Sequence, residues 1–252
     1  MDNFLQTGLQ AVKRAETVIV NYFSDEIRYT LKPDESPVTR ADKESEEVII
    51  KTIREQFPDH GFLGEESQKD GKEYEYLWII DPIDGTKNYL RKLPFFATQL
   101  ALMKNGELIL GISNAPILQE LLYAEKGKGA YCNGKDVKTS TIKSLPESYL
   151  LYGSLKRFEK KGKLSQLLSL GNTVQGFRGF GDFYNYHLLA QGLVDIVIET
   201  DCKIWDVAAL SVIIQEAGGV FTDMEGNALT EHSRSALATN GYLHKDILRY
   251  FN

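Results

Sequence analysis

Cysteine is almost missing from this chain. The 252 residues hold two, Cys132 and Cys202, 70 positions apart, with no CxxC pair and no nearby histidine cluster. That spacing excludes a disulfide framework and a cysteine-type zinc site. Both read as free thiols, buried or partly buried. Proline and glycine are also modest, at 7 and 21, which excludes collagen-like and low-complexity chains. The longest apolar runs, 95–103 and 207–214, fall well short of the roughly 18 residues a membrane helix needs. The opening MDNFLQTGLQAVKRAE has neither the basic start nor the apolar stretch of a signal peptide. A surplus of base is lacking too. Lys and Arg total 29 against 35 Asp and Glu, a net charge of −6. Such a chain has no general attraction for nucleic acid or anionic lipid, and no basic, aromatic-interleaved stretch supplies one locally. No nucleic-acid partner and no membrane partner are therefore expected, and the cysteine usage fits a cytoplasmic location.

What remains is ordinary globular material, 42% hydrophobic and 25% charged, enough to bury a core without a staple. Leu5, Leu9, Val12, Ala15 and Ile19 recur at helical spacing and predict an opening amphipathic helix. Residues 32–37, with two prolines, read as a loop. Thr39 or Asp42 caps a second helix with Val48, Ile49, Ile53 and Phe57 on its apolar face, stopped by Pro58. Strands are predicted at 76–80, 95–103, 108–113 and 120–124, with Lys-Asn-Gly-Glu as a hairpin turn. Further on, 182–191, 204–216 and 243–251 read as helices, and 194–199, 220–222 and 236–239 as strands. The mixed order predicts an α+β fold. The polar segment 133–171 is a candidate seam between two halves, without a composition break strong enough for two independent domains.

Most carboxylates read as solvent-facing, among them Glu44, Glu46, Glu47 and Glu55 on the second helix, and Asp70, Glu73 and Glu75 in a polar turn. Four places differ because acids stand at the ends of apolar segments: Glu65-Glu66 after Phe62-Leu63, Asp81 and Asp84 after Trp78-Ile79-Ile80, Asp206 after Trp205, and Asp182 after Phe180-Gly181. Each has an ordinary explanation: a helix cap for Asp182 or Asp206, a solvated turn for Glu65-Glu66, a Pro-Gly turn for Asp81–Asp84. Together they suit a hard cation held by oxygen ligands.

Gly64-Glu65-Glu66-Ser67, Asp81-Pro82-Ile83-Asp84-Gly85-Thr86, Trp205-Asp206-Val207-Ala208-Ala209 and Glu216-Ala217-Gly218-Gly219 come in an order that resembles the inositol monophosphatase superfamily across nearly the whole chain. Pro37–Asp42 and Gly127–Gly134 resemble it as well. The resemblance implies one domain over 1–252, a layered α/β/α/β sandwich of two fused α+β halves, and a lithium-sensitive, Mg²⁺-dependent phosphatase, commonly a homodimer. By the same resemblance Glu65, Asp81 and the Ile83 carbonyl hold one Mg²⁺. Asp81, Asp84 and Asp206 hold a second, with room for a third, looser ion near Glu65. Thr86, supported by Asp42, orients and helps deprotonate the attacking water, and the Gly85 and Thr86 amides receive the phosphate.

The stretch from Phe177 to Asp206 bears on the substrate. Inositol and fructose-bisphosphate members typically carry Gly-Thr or Gly-Ser where Gly181-Asp182 stands here. Gly-Asp followed by aromatics, then Leu188–Gly192, looks like the histidinol-phosphate phosphatase branch. Asp182 and Glu199 could pair with the ammonium and imidazole of histidinol phosphate, with Phe180, Phe183 or Tyr184 against the ring. An inositol-1-monophosphatase or broad sugar-phosphate phosphatase is the alternative. A nucleotide 3′-phosphatase is less well matched, and a catalytically inactive binding protein on the same fold is the remote one. The four histidines lack metal-ligand spacing, and His187 reads as a packing residue. Lys203 and Arg178 are weaker candidates for substrate or subunit contact.

Overall fold

The computed structural model describes residues 3–25, 27–33, 37–67 and 72–251. The chain opens with α1 (Phe4–Ser24), β1 (Tyr29–Leu31), β2 (Pro37–Thr39) and α2 (Arg40–Arg54). Then come β3 (Gly61–Gly64), β4 (Tyr76–Asp84), α3 (Thr86–Leu90), β5 (Ala97–Lys104), β6 (Glu107–Ala115), β7 (Glu120–Glu125), β8 (Ala130–Cys132) and β9 (Lys135–Val137). β10 (Tyr149–Tyr152), α4 (Leu155–Lys160), α5 (Leu164–Gly171), β11 (Gly176–Arg178), α6 (Asp182–Ala190) and β12 (Ile196–Thr200) follow. α7 (Ile204–Glu216), β13 (Val220–Thr222), β14 (Ser235–Thr239) and α8 (His244–Phe251) complete the chain. None of the described helices is long and apolar enough to cross a membrane.

β3 to β9 form a seven-stranded sheet in chain order, antiparallel except where β3 runs parallel to β4. The hairpin between β5 and β6 turns at Asn105 and Gly106, both with left-handed φ, as the Asn-Gly pair predicts. A second, five-stranded sheet has the order β11-β10-β12-β14-β13. Alternation along β4 shows how the layers are made. Trp78 and Ile80 pack with Ala11, Ile19 and Ile49 of α1 and α2. Leu77 and Ile79 face the other way, onto Ile204, Ala208 and Ala209 of α7. A strand buried on both faces reads as a continuous apolar run, which this one does.

α6 and α7 fill the space between the sheets, packing against Leu122 and Ala124 of the first and Val197 and Ala238 of the second. Nine of the thirteen α7 residues are buried, as expected for a helix with no solvent face. Its approach to β6 depends on Gly111, where an added Cβ would stand 2.1 Å from the Ala209 carbonyl oxygen. The anticipated α/β/α/β order is present in this α+β sandwich, and one more helical layer closes it. Phe158, Leu167, Ile247 and Phe251 of α4, α5 and α8 cover Leu150, Ile196 and Ile198 on the outer face of the second sheet.

Several local readings shift. Pro37 opens β2 rather than closing a loop; residues 34–36, also within that loop reading, lie outside the described residues, as does Asp70. β4 continues through Pro82 to Asp84, four residues past the predicted end. Glu46 is 2% exposed and does not belong to the solvated face assigned to it.

Candidate active site

The extension of β4 builds the centre of the site. Asp81 pairs with Gln99 and Asp84 with Ala97, so three steps on β4 match two on β5. The extra residue is a bulge. Residues three apart on an unbroken strand point to opposite faces, whereas here Asp81 and Asp84 both line one pocket. Pro82 is tolerated there because a bulge locally interrupts the ladder. Gly85 follows with φ 91°, a left-handed conformation that glycine adopts without strain, and serves as N-cap of α3.

The pocket has a cavity volume of about 290 Å³. Glu65, Asp81, Ile83, Asp84, Gly85 and Thr86 line one side of it. Asp182 and Tyr186 come from α6, Glu199 from β12, Asp206 from α7 and Arg157 from α4. Of the residues expected to hold metal or phosphate or to activate the water, Asp42 alone is not in the lining. It is fully buried at the start of α2, where its Oδ2 accepts from the Thr39 backbone N–H (2.7 Å) and hydroxyl (2.6 Å). Its Oδ1 is buried with no hydrogen-bond partner. The Thr86 hydroxyl donates to the Ile83 carbonyl (3.0 Å).

Protein donors hold the carboxylates in place. Asp81 Oδ1 accepts from the Ile83 N–H (3.0 Å), Asp84 Oδ2 from the Phe183 N–H (3.0 Å), and Asp206 Oδ2 from the Lys203 N–H (2.8 Å). Asp206 thus works as a capping residue at the third position of α7 while still lining the pocket. Asp182 makes no cap: Gly181 precedes the helix, and the Asp182 Oδ2 accepts instead from Asn88 Nδ2 (2.9 Å). The Lys32 ammonium stands 2.8 Å from Glu65 Oε1.

Electrostatically the site is loaded against itself. Burial, then repulsion from Glu65, Asp84 and Asp206, pushes the Asp81 carboxyl well above the usual range. Burial and the neighbouring acids Asp182, Asp206 and Glu199 do the same to Asp84. Burial lifts Asp206 to about 7 against the pull of the Lys203 amide. It lifts Glu199 to about 8, with Asp182 and Asp206 adding to the rise while Arg157 opposes it. Among the described residues, no three His, Cys, Asp or Glu side chains are drawn together into a group that could hold a metal ion as they stand. The donor set nevertheless fits a hard divalent cation: all ligand atoms are oxygens, and crowded buried carboxylates need positive charge more than further amides.

Four participants went unread in the sequence. Asn88 and Tyr186 lie inside motifs whose neighbours drew the attention, and Arg157 lies on a basic stretch that carries no motif. Glu46, on α2, accepts from the Glu66 N–H (3.1 Å) and so holds the turn that carries Glu65. The aromatic expectation also shifts. Phe183 is fully buried and stacks edge-on with His187 (4.8 Å), while Phe180 and Tyr184 pack on each other (6.0 Å) outside the pocket lining. Tyr186 is the aromatic residue that reaches the pocket. Arg178 and Lys203 are exposed and do not line it.

The family model of the inositol monophosphatase family matches residues 1–252. A histidinol-phosphatase of Mycobacterium tuberculosis is 36% identical over 254 residues, covering 98% of this chain and 97% of that protein. An inositol monophosphatase of Dictyostelium discoideum is also 36% identical, over 95% of this chain and 92% of its own length. The structure of an inositol monophosphatase from Anabaena superposes with a TM-score of 0.87 at 34% identity, covering 98% of this chain and 94% of that one. On this sequence and this fold, the chain belongs to the inositol monophosphatase family and is a phosphatase.

Proposed function

We propose that the protein is a Mg²⁺-dependent phosphomonoesterase that hydrolyses histidinol phosphate to histidinol and phosphate. Enzymes of the family are generally metal-dependent. Glu65, Asp81, Asp84, Asp206 and the Ile83 carbonyl would hold two Mg²⁺ ions, with a third, looser one near Glu65. Bound there, Mg²⁺ supplies positive charge to the phosphate oxygens and acidifies a water. The chain's own residues do the rest. Thr86, supported by Asp42, orients the attacking water and helps deprotonate it, with the Asp42 carboxylate as the final acceptor of the proton. The amides at Gly85 and Thr86 are helix-terminal donors without intrahelical partners, placed to receive phosphate oxygens. Positioning and charge stabilisation are most of what phosphoryl transfer requires.

One observation carries the substrate reading: Asp182 and Glu199 line the same pocket as Gly85 and Thr86. A phosphate seated at Gly85 and Thr86 leaves its alcohol portion facing two carboxylates, an environment that suits an ammonium and an imidazole better than hydroxyls. The histidinol-phosphatases among the relatives, at 31–36% identity, support it. The Dictyostelium relative favours inositol phosphate as the second reading. The family's homodimeric state and lithium sensitivity accompany either.

The test is a comparison of kcat/KM on histidinol phosphate and inositol 1-phosphate for the wild type and Asp182→Ser. A lost charge-assisted contact of about 1.5–3 kcal/mol predicts a decrease of roughly tenfold or more on histidinol phosphate, and a smaller one on inositol 1-phosphate. Equal losses would remove Asp182 from substrate selection. A wild type that prefers inositol 1-phosphate would overturn the substrate.

A further inference from the structure

Arg157 brings a positive charge into a pocket otherwise dominated by acids. Its guanidinium Nη1 is 3.7 Å from Glu199 Oε1, and the two side chains differ sharply in exposure, 42% against 8%. The separation exceeds hydrogen-bond length, so the pair is a charge contact without a fixed fork geometry. Glu199 is anchored independently by the Tyr186 hydroxyl, which donates to Oε2 at 3.3 Å. Lys161, which follows α4 as its C-cap, takes Asp201 at 3.3 Å. That leaves Arg157 as the cation facing Glu199, on a half-exposed side chain with freedom to swing, opposite a buried carboxylate that cannot.

We propose that Arg157 selects the leaving group by its charge: in the free protein its guanidinium occupies the place on Glu199 that a cationic leaving group takes over on binding. The identity of that cation rests on the function proposed above. The physical reason is exchange. A buried carboxylate needs a positive partner whether or not substrate is present. An arriving ammonium can replace the guanidinium at Glu199, and Arg157 then turns outward into water, giving up its contact with Glu199, a cost that the cationic leaving group alone carries. A neutral polyol offers no replacement charge, so Arg157 keeps its place on Glu199 and nothing is exchanged. A leaving group with a second phosphate is attracted to Arg157 and repelled by Glu199.

The experiment compares Arg157→Gln and Arg157→Lys with the wild-type enzyme in Mg²⁺. KM and kcat are measured on three phosphomonoesters whose leaving groups are cationic, neutral and anionic: histidinol phosphate, inositol 1-phosphate and fructose 1,6-bisphosphate. For Arg157→Gln the ratio of variant to wild-type KM is expected to rise in that order. It should fall below one on histidinol phosphate, by about threefold to tenfold for a partly exposed charge pair, and exceed one on the bisphosphate. KM should move more than kcat, and Arg157→Lys should keep the wild-type order. Equal KM ratios on all three esters, or a raised KM on histidinol phosphate, would overturn the proposal. Failure of the substrate reading looks different: wild-type preference for inositol 1-phosphate shows that, while the order of the ratios, each taken within one ester, still decides the role of Arg157.

Discussion

Glu46 and Glu47 are neighbours on α2, yet Glu46 is buried and Glu47 faces solvent. The difference lies in spacing. Asp42, Glu46, Ile49 and Ile53 recur at intervals of four, three and four, so Glu46 sits on the inward stripe. Counting acids along the helix hides this; following the apolar residues in both directions reveals it. Burial pushes the Glu46 carboxyl up, opposed by hydrogen bonds from Ser67 and the Glu66 amide. Glu46→Ala leaves those donors unsatisfied, and about 1–3 kcal/mol of stability should be lost, read as a lower denaturant midpoint at unchanged slope. A midpoint equal to wild type would show that the Glu65 turn holds without it. Asp81, Asp84, Gly85 and Thr86 were legible in a way Glu46 was not, because their chemistry is written in adjacent positions. Arg157 and Asn88 were illegible for the opposite reason: their partners lie 42 and 94 residues away in the chain.

Elements join at a buried contact among β6, β7 and α6. His187 is fully buried, with Nε2 2.7 Å from Ser113 Oγ and Nδ1 2.9 Å from Glu120 Oε2. The distances imitate a Ser-His-Glu triad, but Ser113 is buried as well and offers no access to a substrate. The contact is a tie: it fixes α6, and with it Asp182 and the Phe183 amide, to the first sheet. Burial lowers the His187 pKa despite Glu120. Below the ordinary histidine value the unfolded chain takes a proton that the fold resists, so stability from this site is intact above about pH 6.5 and falls as the pH drops toward the lower folded value. His187→Gln should cost about 1–3 kcal/mol at pH 7 through the lost pairing. The gap between variant and wild type should narrow at pH 5, where only the wild type pays the protonation cost. Thermal unfolding of both proteins at the two pH values checks this, and a gap independent of pH would contradict it. The elements themselves were largely legible: α7 was read with its observed ends because a mostly apolar run with Asp206 in its first turn and Gly218-Gly219 just beyond its end has few alternatives. The end of β4 was misread because Pro82 usually stops a strand, and the bulge that accommodates it depends on pairing with β5, which no local pattern reveals.

At the scale of the molecule, the charge of −6 is unevenly spent. Exposed acids such as Glu107 and Asp246 are paired at the surface, with Lys126 and Arg249, whereas Asp81, Asp84 and Glu199 are buried in mutual repulsion. A fold that keeps such a cluster gives up stability for function unless a cation binds. Removal of divalent metal by a chelator should therefore lower the melting temperature, and added Mg²⁺ should raise it in proportion to RT ln(1 + [Mg²⁺]/Kd). Asp81→Asn separates the two contributions. The amide oxygen can still accept from the Ile83 N–H, so the local backbone is kept, while one buried negative charge is removed. In chelator the variant should melt at or above the wild-type temperature, by several degrees for about 1 kcal/mol relieved. In Mg²⁺ it should gain little, and its Mg²⁺-dependent hydrolysis should be abolished. A variant that melts below wild type in chelator yet keeps the full Mg²⁺ shift would show that Asp81 is structural and that the cation sits elsewhere. A variant whose curve in chelator overlays the wild-type curve in Mg²⁺ would show that the cation stabilises the fold chiefly by cancelling that one charge.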